Sequence, residues 1–395
     1  MSGAAFVAPG ATLGVLGGGQ LGRMFVHAAQ RLGYRTVVVD PDPASPAGLV
    51  AHEHVRADYL DAVALDRLAG CAAVTTEFEN VPAAALAALA KRVAVAPGAT
   101  AVAVCQDRAA EKAAFASSGV ACAPHAAIAS PADVERVDAS LLPGILKTAR
   151  LGYDGKGQRT VGDRTALAAA FAALGGVPCV LERRLALAAE ISVVVARNAR
   201  GDVVHLPVHD NVHVGGVLAV TRVPARAHVD AATQAEATAL AERLARALDY
   251  VGVLCVEFFV VEGGALVANE MAPRPHNSGH HSIDSCDVSQ FELQVRTLTG
   301  APLVAPRQHS AAVMLNLLGD LWHDGAAPDW ARVLTLRGAH LHLYGKDDAR
   351  PGRKMGHLTI TAASAADAEA TAAEAAHRLG LAPLAAATRQ DRRPQ

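Results

Sequence analysis

Glu257 and the pair Asn269-Glu270 flank a segment whose residue types suit metal binding. An apolar run follows Glu257, the turn sequence Glu262-Gly263-Gly264 interrupts it, and a second apolar run ends at Glu270. Two such runs around a glycine turn predict a β-hairpin, with Glu257 opening the first strand and Glu270 closing the second. Carboxylate and amide oxygens at one end of this ribbon would suit Mg²⁺. The alternative is a pair of exposed acids at strand ends.

A dense polar loop follows the hairpin and favours the functional interpretation. It reads Arg274-Pro-His276-Asn277-Ser-Gly-His-His, bounded by prolines. Polar loops on rigid scaffolds commonly carry binding and catalytic groups.

A second candidate site lies in the glycine-rich stretch from Leu151 to Gln158. It follows the short apolar strand 144–147, which ends in Lys147. Backbone N–H groups and a lysine in such a loop can cover a phosphate. The loop is not a Walker A motif, because Gly157 follows Lys156 where Ser or Thr is required. The alternative is a flexible hairpin turn.

The N-terminal segment has the pattern of a nucleotide-binding βαβ unit. A strand at 12–16 leads into Gly17-Gly-Gly-Gln-Leu-Gly22, a helix through about Arg31, and a strand ending at Asp40. Glycines allow a phosphate to approach the helix N-terminus. We expect a sugar phosphate there, with a nicotinamide cofactor and plain structural packing as the alternatives.

Acids and an amide follow the next strand of this unit, at 73–76. Glu77, Glu79 and Asn80 would lie beside the glycine turn, at the carboxyl end of the sheet, where ribose hydroxyls could bind. For Asn80 an N-cap before the next helix is an equally open interpretation.

Composition limits the class of protein. The chain has 395 residues, enough for two or three domains, and is 51% hydrophobic. The net charge of −2 gives no electrostatic case for nucleic acid or anionic membranes. The sequence has six cysteines without CxxC spacing, and it shows no signal-peptide pattern and no apolar run of about 20 residues. Together these features predict a cytoplasmic protein.

The remaining segments supply scaffold and further polar positions. Glu182 ends a strand, Glu190 begins one, and His213 lies in a polar loop, where a structural role is as plausible as a catalytic one. Residues 231–248 predict an amphipathic scaffold helix. Near the C-terminus the loop from Lys346 to Lys354 carries four cations, which predicts either a phosphate contact or a solvated turn.

Six motifs in order carry a resemblance to a known family. They are Gly19-Gln-Leu-Gly-Arg-Met24, Glu77-Phe-Glu-Asn-Val-Pro82, Gly152-Tyr-Asp-Gly-Lys-Gly-Gln158, Asn269-Glu-Met-Ala-Pro-Arg274, His276-Asn-Ser-Gly-His280 and Pro351-Gly-Arg-Lys-Met-Gly-His357. Together they resemble the N5-carboxyaminoimidazole ribonucleotide synthetase family, ATP-grasp carboxylases of purine biosynthesis. The resemblance covers roughly residues 12–385.

The resemblance implies a fold and an activity. The fold is α/β and α+β: a Rossmann-like pre-ATP-grasp domain at 1–107, an ATP-grasp domain at 108–300 and a small β-rich domain at 301–395. The activity is ATP-dependent carboxylation of 5-aminoimidazole ribonucleotide with bicarbonate, through carboxyphosphate. The resemblance also implies Mg²⁺ and a homodimer.

Residue roles are carried over from the family position by position. For ATP they are Arg108, Lys147, Gly152, Tyr153, Asp154, Gly155, Lys156, Gly157, Gln158, Glu182, Arg183, Arg184, Leu185, Glu190, His213, Asn269 and Glu270. The resemblance assigns Glu257 and Glu270 as Mg²⁺ ligands. It assigns Arg274, His276 and Asn277 to the binding of bicarbonate or carboxyphosphate. The ribonucleotide side comprises Gly19, Gln20, Glu77, Tyr153, Asp154, Lys346 and Arg353. His276 and Asp154 are both candidates for accepting the amine proton.

The sequence departs from the family at three places. Leu151 stands where the family usually has a second glycine, which predicts a stiffer flap. The hinge at 183–189 lacks the usual aromatic and extra acid, and His209-Asp210-Asn211 replaces a Glu-Asn pair.

Three other functions stay open from sequence. They are a formate-dependent ribonucleotide transformylase of the same fold, a non-catalytic nucleotide-binding module and a dehydrogenase.

Overall fold

A parallel sheet of five strands forms the N-terminal part of the computed structural model, which describes residues 6–152, 157–323 and 325–382. Its elements are β1 (Thr12–Leu16), α1 (Gln20–Arg31), β2 (Arg35–Val39), β3 (Glu53–Val55), α2 (Ala62–Ala69), β4 (Ala73–Thr76), α3 (Ala83–Leu89), β5 (Ala94–Val95) and α4 (Ala99–Cys105). The strand order is β3-β2-β1-β4-β5. The central strands are buried on both faces, as expected when helices cover both sides of a parallel sheet.

The helix that follows Asn80 begins later than the capping interpretation requires. Pro82 is the N-cap of α3, and no side chain caps it. The N-cap role considered for Asn80 is therefore wrong, because Asn80 precedes the cap by two positions.

A four-stranded antiparallel sheet follows, in the order β6-β9-β7-β8. Its elements and their neighbours are α5 (Arg108–Ser117), β6 (His125–Ile128), α6 (Pro131–Arg136), a 3₁₀ turn (Ala139–Leu141), β7 (Gly144–Thr148), β8 (Gln158–Val161), α7 (Arg164–Ala173) and β9 (Cys179–Arg183). α5 begins where the Asp107 carboxylate accepts hydrogen bonds from the N–H groups of Ala109 and Ala110. The loop between β7 and β8 is the predicted phosphate flap.

A nine-stranded sheet forms the largest layer of the described structure. Its central elements are β10 (Leu187–Arg197), β11 (Val203–His205), β12 (His209–Val214), β13 (Val217–Val223), α8 (Ala231–Ala247), β14 (Gly252–Val261), β15 (Leu266–Ala272), a 3₁₀ turn (Asn277–Gly279), α9 (Ser282–Ser285) and α10 (Gln290–Thr299). The apolar face of α8 packs on β10 and β14 around Leu244 and Leu254, as its amphipathic pattern predicts.

The C-terminal strands continue this same sheet. They are β16 (Ala311–Leu318), β17 (Ala339–Leu343) and β18 (Lys354–Ala362), accompanied by a 3₁₀ turn (Gly319–Leu321), α11 (Trp330–Leu334) and α12 (Ala365–Arg378). The order is β15-β14-β10-β12-β13-β16-β18-β17, with β11 paired to β10. The pairing of β13 with β16 therefore joins the central and C-terminal parts through backbone hydrogen bonds.

Alanine-rich helices pack closely because their side chains are small. In α12 the buried alanines are Ala368, Ala372, Ala375 and Ala376, spaced as one helical face. They lie against β16 and β18 in one core cluster.

The predicted hairpin forms, but its acids do not lie at strand ends. β14 and β15 pair around the turn at 262–264. Glu257 lies in the middle of β14, and Glu270 lies inside β15. The prediction that they open and close their strands is wrong because the apolar run before Glu257 extends β14 back to Gly252.

Among the residues described, no helix has the length and apolar character that crossing a bilayer requires.

Candidate active site

One cleft brings together residues from all three parts of the chain. Its volume is about 770 Å³. The site residues that line it are Gly19, Gln20, Glu77, Arg108, Gly152, Glu257, Glu270, Arg274, His276, Asn277, Lys346 and Arg353. The N-terminal glycine turn, the hairpin acids and the C-terminal basic loop thus share one space.

A β-bulge places the two hairpin acids together. Val256 pairs with Met271 and Phe258 with Ala268, so Glu257 faces both Asn269 and Glu270. Burial, together with the carboxylates of Glu270 and Glu190, raises the pKa of Glu257. A cation between two neighbouring carboxylates stabilises their ionised forms. The donor set, two carboxylates beside an amide, fits Mg²⁺.

Arg108 contacts one member of this pair. Its guanidinium donates a hydrogen bond of 3.0 Å to the Glu270 carboxylate. Burial alone would raise the pKa of Glu270, but Arg108 and Lys147 outweigh it and hold that pKa below its usual range. Glu270 is therefore ionised, and Arg108 orients it toward the cleft.

A buried charge cluster surrounds Glu182, next to the hairpin. Lys147 Nζ lies 2.9 Å from one Glu182 oxygen, and Lys112 Nζ lies 3.1 Å from the other. Lys147 also donates to Asn269 Oδ1 at 3.5 Å, and Lys112 donates to the Asn269 carbonyl at 2.7 Å. The two lysines thus tie β7, β9, α5 and β15 together.

Glu111 and Lys112 were not predicted as site residues. Glu111 is buried and accepts a hydrogen bond of 2.5 Å from the Met271 N–H, next to Glu270. A signal was available in the sequence: Arg108, Glu111 and Lys112 lie at i, i+3 and i+4 in an otherwise alanine-rich helix, so they share one face. Charges on a face that packs inward require partners.

A chain of buried hydrogen bonds fixes the orientation of His276. Thr221 donates to Asn211, Asn211 donates to Ser192, and Ser192 donates to Ser278. Ser278 Oγ lies 2.9 Å from His276 Nδ1.

At the other side of the ring, His276 Nε2 lies 3.2 Å from the Glu257 carboxylate. The backbone N–H of Ser278 donates to His276 Nδ1 at 3.4 Å, so Nδ1 carries the lone pair, and the ring proton lies on Nε2, directed at Glu257. Burial lowers the pKa of His276, so the ring is neutral.

Arg274 and Asn277 lie in the same loop, but Arg274 has a charged partner and Asn277 has no hydrogen-bond partner in the described structure. Arg274 forms an ion pair with Glu79, which lies after β4 and was predicted only as a ribose contact. Asn277 is buried, and neither its amide nitrogen nor its amide oxygen has a hydrogen-bond partner in the described structure. A buried amide without partners is costly unless a water or a ligand completes its hydrogen bonds.

His213 lies in β12 and Glu190 lies inside β10, so the predictions of a loop for His213 and of a strand start for Glu190 are wrong. The two side chains form a pair across these neighbouring strands. Burial would lower the pKa of His213, but Glu190 outweighs it and raises that pKa to about 9. The imidazolium therefore neutralises Glu190, the residue predicted to hold ribose.

The hinge at 183–189 runs from the last residue of β9, Arg183, into the start of β10 at Leu187. The N–H groups of Arg183 and Arg184 donate to the carbonyls of Pro124 and Pro143, at 2.8 and 3.0 Å. The segment is therefore anchored by its backbone, and the unusual side chains at 183–185 are at least partly exposed.

The N-terminal glycine turn is closed by side chains of its own domain. The Glu77 carboxylate accepts hydrogen bonds from the N–H groups of Gly19 and Gly22, at 2.8 and 3.1 Å. A Cβ at Gly19 would lie 2.8 Å from that carboxylate, so a larger residue there would displace Glu77. Glu77 thus occupies the helix N-terminus expected to receive a phosphate, and Gln20 extends the turn along the cleft.

The flap is described at its two ends. Leu151 has φ of 63°, in the left-handed region that favours glycine, and its side chain is 72% exposed. Gly157 has φ of 74°, and a Cβ there would lie 2.6 Å from Thr148 Oγ1. Gln158 pairs with Lys147 across β7 and β8. The predicted residues Tyr153, Asp154, Gly155 and Lys156 lie outside the described part of the chain.

The basic loop lies between β17 and β18. Lys346 Nζ donates to the Lys354 carbonyl at 2.7 Å, and Arg353 donates to the Asp348 carbonyl at 2.7 Å. The Gly352 N–H donates to Asp320. These bonds hold the loop in a folded shape at the mouth of the cleft.

Family comparisons match each part of the chain. Residues 10–106 match a ribonucleotide synthetase preATP-grasp domain, 113–291 an ATP-grasp domain, and 312–371 a phosphoribosylaminoimidazole carboxylase C-terminal domain. The N5-carboxyaminoimidazole ribonucleotide synthase of Brucella melitensis is 45% identical over 358 residues, which is 89% of this chain and 96% of that protein. The chain belongs to the N5-carboxyaminoimidazole ribonucleotide synthase family.

Solved structures of this synthase family share the whole fold. A Staphylococcus aureus N5-carboxyaminoimidazole synthetase complexed with ADP has a TM-score of 0.88 at 34% identity, covering 95% of this chain and 99% of that one. An Aspergillus clavatus synthase in complex with ADP and 5-aminoimidazole ribonucleotide has a TM-score of 0.86 at 32% identity, covering 94% and 98%.

The predicted family, ATP-grasp fold, ligase class and ATP-dependent synthase activity are confirmed. The residue roles and domain boundaries stay predictions.

Proposed function

We propose that this cleft binds ATP, bicarbonate and 5-aminoimidazole ribonucleotide together and carboxylates the ribonucleotide. The observation that carries the proposal is the shared cleft, in which the hairpin acids, the Arg274–Asn277 loop, the glycine turn and the basic loop meet. The three-part family match and the ligands named for the Staphylococcus and Aspergillus proteins support it.

ATP would bind between the small antiparallel sheet and the hairpin. Lys147 and the flap ends at Gly152 and Gly157 would hold the phosphates, because a lysine and backbone N–H groups neutralise them. The hinge would present the backbone N–H of Leu185 to adenine, since those of Arg183 and Arg184 are already bonded. Glu190, neutralised by His213, would accept the ribose hydroxyls.

Glu257 and Glu270 would hold Mg²⁺, with Asn269 beside them. When bound, the ion would neutralise charge on the phosphates of ATP. Arg108 keeps the Glu270 carboxylate ionised and oriented for this role.

Bicarbonate would bind at Arg274, His276 and Asn277. The guanidinium would orient its oxygens, and the unpartnered Asn277 amide would complete its hydrogen bonds. One bicarbonate oxygen would attack the γ-phosphorus of ATP, so that the bond to the β–γ bridging oxygen breaks and carboxyphosphate and ADP form.

The ribonucleotide amine would then attack the carboxyl carbon and release phosphate. Gln20 on one side, with Lys346 and Arg353 on the other, would hold its ribose phosphate, while Glu77 holds the glycine turn through the Gly19 N–H. The amine proton would pass to His276 or Asp154. Enclosure of the cleft would protect carboxyphosphate from water.

The test is ADP release and label incorporation by the purified chain with Mg²⁺ and ATP. We expect ADP release to require 5-aminoimidazole ribonucleotide, and label from bicarbonate, not formate, to enter the product. Glu270→Gln should lower turnover by at least about 100-fold, since phosphoryl transfer depends on charge neutralisation. Glu262→Gln, in the turn of the same hairpin, is the matched control and should retain activity.

Three results would contradict this proposal. Incorporation of formate would point to the transformylase, ADP release without ribonucleotide to another acceptor, and wild-type turnover by Glu270→Gln would remove the metal assignment.

Two further proposals concern the cellular state of the protein. We propose a cytoplasmic location, which the six free thiols support, because reduced cysteines are typical of that compartment. The homodimer is supported by the family resemblance, and light scattering of the purified chain would test it.

A further inference from the structure

Gln290, the first residue of α10, packs against the loop that carries His276 and Asn277. Its side chain is fully buried. A buried side-chain amide must find partners for its oxygen and for both of its N–H groups, or folding becomes costly. The partners of Gln290 all belong to this one loop.

The amide of Gln290 bonds to both backbone groups of His276. Its Oε1 accepts a hydrogen bond from the His276 N–H at 2.9 Å, and its Nε2 donates to the His276 carbonyl at 2.8 Å. Two residues that face each other in an antiparallel sheet exchange the same two bonds. One side chain thus gives His276 the backbone partners that a neighbouring strand would give, and it fixes the backbone on both sides of this residue.

A third bond fixes the orientation of the amide. Gln290 Nε2 lies 2.9 Å from His280 Nδ1. Burial lowers the pKa of His280, so its ring is neutral and Nδ1 can accept the second N–H of the amide. A reversed amide would set its nitrogen against the His276 N–H and its oxygen against the His276 carbonyl. The hydrogen-bond network therefore admits one orientation.

The backbone of Gln290 is tied to the same loop. Its N–H donates to Ser282 Oγ at 3.1 Å, and the Ser282 hydroxyl donates to the Gly279 carbonyl at 2.5 Å. A Cβ at Gly279 would lie 2.6 Å from Gln290 Oε1, so the loop packs directly on the amide. The start of α10 and the loop therefore form one hydrogen-bonded unit.

We propose that Gln290 is a positioning residue for bicarbonate, which holds His276 and Asn277 in the geometry that binds this anion and carboxyphosphate. The His276 ring lies between Ser278 and Glu257, and Asn277 follows it in the chain, so a shift of the His276 backbone would move both side chains. Misplacement of a binding group by about 1 Å can cost about 100-fold in rate. The proposal rests on the proposed function, in which this loop binds bicarbonate.

The test is steady-state kinetics of Gln290→Leu, which removes all three side-chain hydrogen bonds. We expect the KM for bicarbonate to rise and kcat to fall, with kcat/KM for bicarbonate lower by at least about tenfold. The KM for ATP should stay within about twofold of the wild type, because Lys147 and the hinge lie on other elements. Gln290→Glu keeps the oxygen that accepts from the His276 N–H, and we expect a smaller loss.

Gln294→Leu is the matched control on the same helix. Gln294 is also buried, but its amide donates to Thr75 Oγ1 and to the Thr76 carbonyl, in β4 of the N-terminal sheet. This variant should lose stability and keep the wild-type KM for bicarbonate. A purely structural role for Gln290 would give both variants the same kinetic behaviour.

Gly279→Ala tests the same contact without changing Gln290. Its new Cβ would push the amide away from His276, so we expect the same rise in the KM for bicarbonate. This variant decides the question if Gln290→Leu does not fold. Hydrogen exchange gives a readout that does not depend on activity: amides at 274–281 should exchange faster in Gln290→Leu, while those of α8 exchange as in the wild type.

Two results would overturn the proposal. They are a wild-type KM for bicarbonate in both Gln290→Leu and Gly279→Ala, and a rise of equal size in Gln294→Leu. A wild-type chain that releases no ADP in response to ribonucleotide would instead refute the proposed function.

Discussion

At the scale of single residues, Asn277 is unusual in being both buried and unpartnered. Its two polar atoms have no hydrogen-bond partner among the described residues, although it lines the cleft. A protein tolerates such a cost where a ligand supplies the missing bonds. We therefore expect the activity of the protein, but not the stability of the free chain, to depend on this residue.

We expect Asn277→Ala to change the free energy of unfolding by less than about 1 kcal/mol, because the side chain makes no internal hydrogen bond that is lost. Turnover should nevertheless fall by at least about tenfold, with a raised KM for bicarbonate, since a hydrogen bond to an anion is worth about 1.5–3 kcal/mol. Urea denaturation and bicarbonate saturation curves measure the two effects.

The control for this variant is Asn198→Ala. Asn198 is also buried, but its side chain bonds to Asp202 and to the N–H groups of Arg200 and Asp202. It should lose stability and keep its KM. Equal losses of stability in both variants would contradict the ligand role of Asn277.

At the scale of elements, α5 is the most informative helix. It begins at the Asp107 cap and presents Arg108, Glu111 and Lys112 to the hairpin and to β9. One short helix thus positions both the acid pair and Lys147.

Lys112→Met tests the lysine bridge between α5, β9 and β15. The substitution leaves Glu182 with only Lys147 and removes the donor to the Asn269 carbonyl. Loss of one partner of a buried ion pair costs about 3–5 kcal/mol, so we expect a loss near the lower value because Lys147 remains. Urea unfolding measures this loss of stability, and the exposed Lys91→Met is the control. An unchanged urea midpoint for Lys112→Met would show that one lysine is enough to stabilise Glu182.

Glu111 predicts a dependence of stability on pH. Burial raises the pKa of Glu111 in the folded chain from its ordinary value of 4.5 to about 8, although Lys112 opposes the shift. Between pH 4.5 and 8, Glu111 holds a proton in the folded state but has lost it in the unfolded state. The contribution of this proton to the free energy of unfolding is therefore complete below pH 4.5 and is lost as the pH rises through 8.

Glu111→Gln removes that proton equilibrium and keeps an oxygen for the Met271 N–H. We expect the nucleotide-free wild type to lose more unfolding free energy between pH 5.5 and 8.5 than this variant loses. Urea midpoints at the two pH values measure the difference, and Glu236→Gln, exposed on α8, should behave as the wild type does. Parallel pH profiles for wild type and Glu111→Gln would mean that Glu111 ionises normally.

At the scale of the whole molecule, local patterns in the sequence predicted local structure well. The turn at 262–264, the glycine turn before α1 and the helix at 231–247 all follow from short-range signals. The family motifs identified the fold and many of the residues that line the cleft, whereas the predicted residues Lys147, Glu190 and His213 are not part of its lining.

Contacts between distant segments could not be predicted in this way. The ion pair of Glu79 with Arg274 joins residues far apart in sequence, and the bulge that unites Glu257 with Glu270 depends on strand register. Register is set by pairing with neighbouring strands and not by the hairpin alone. The hydrogen-bond chain from Thr221 to His276 likewise arises only when β10, β12 and β13 are assembled.

The pairing of β13 with β16 has a consequence for dividing the protein into fragments. A break in the connection at about residue 305 would leave each piece with a complementary open strand edge: β13 on the longer piece and β16 on the shorter. Open edges of this kind recombine. Two separately expressed fragments would therefore behave as a split enzyme, inactive alone and restored on mixing, with ribonucleotide affinity returning only when the shorter piece restores Lys346 and Arg353 to the cleft.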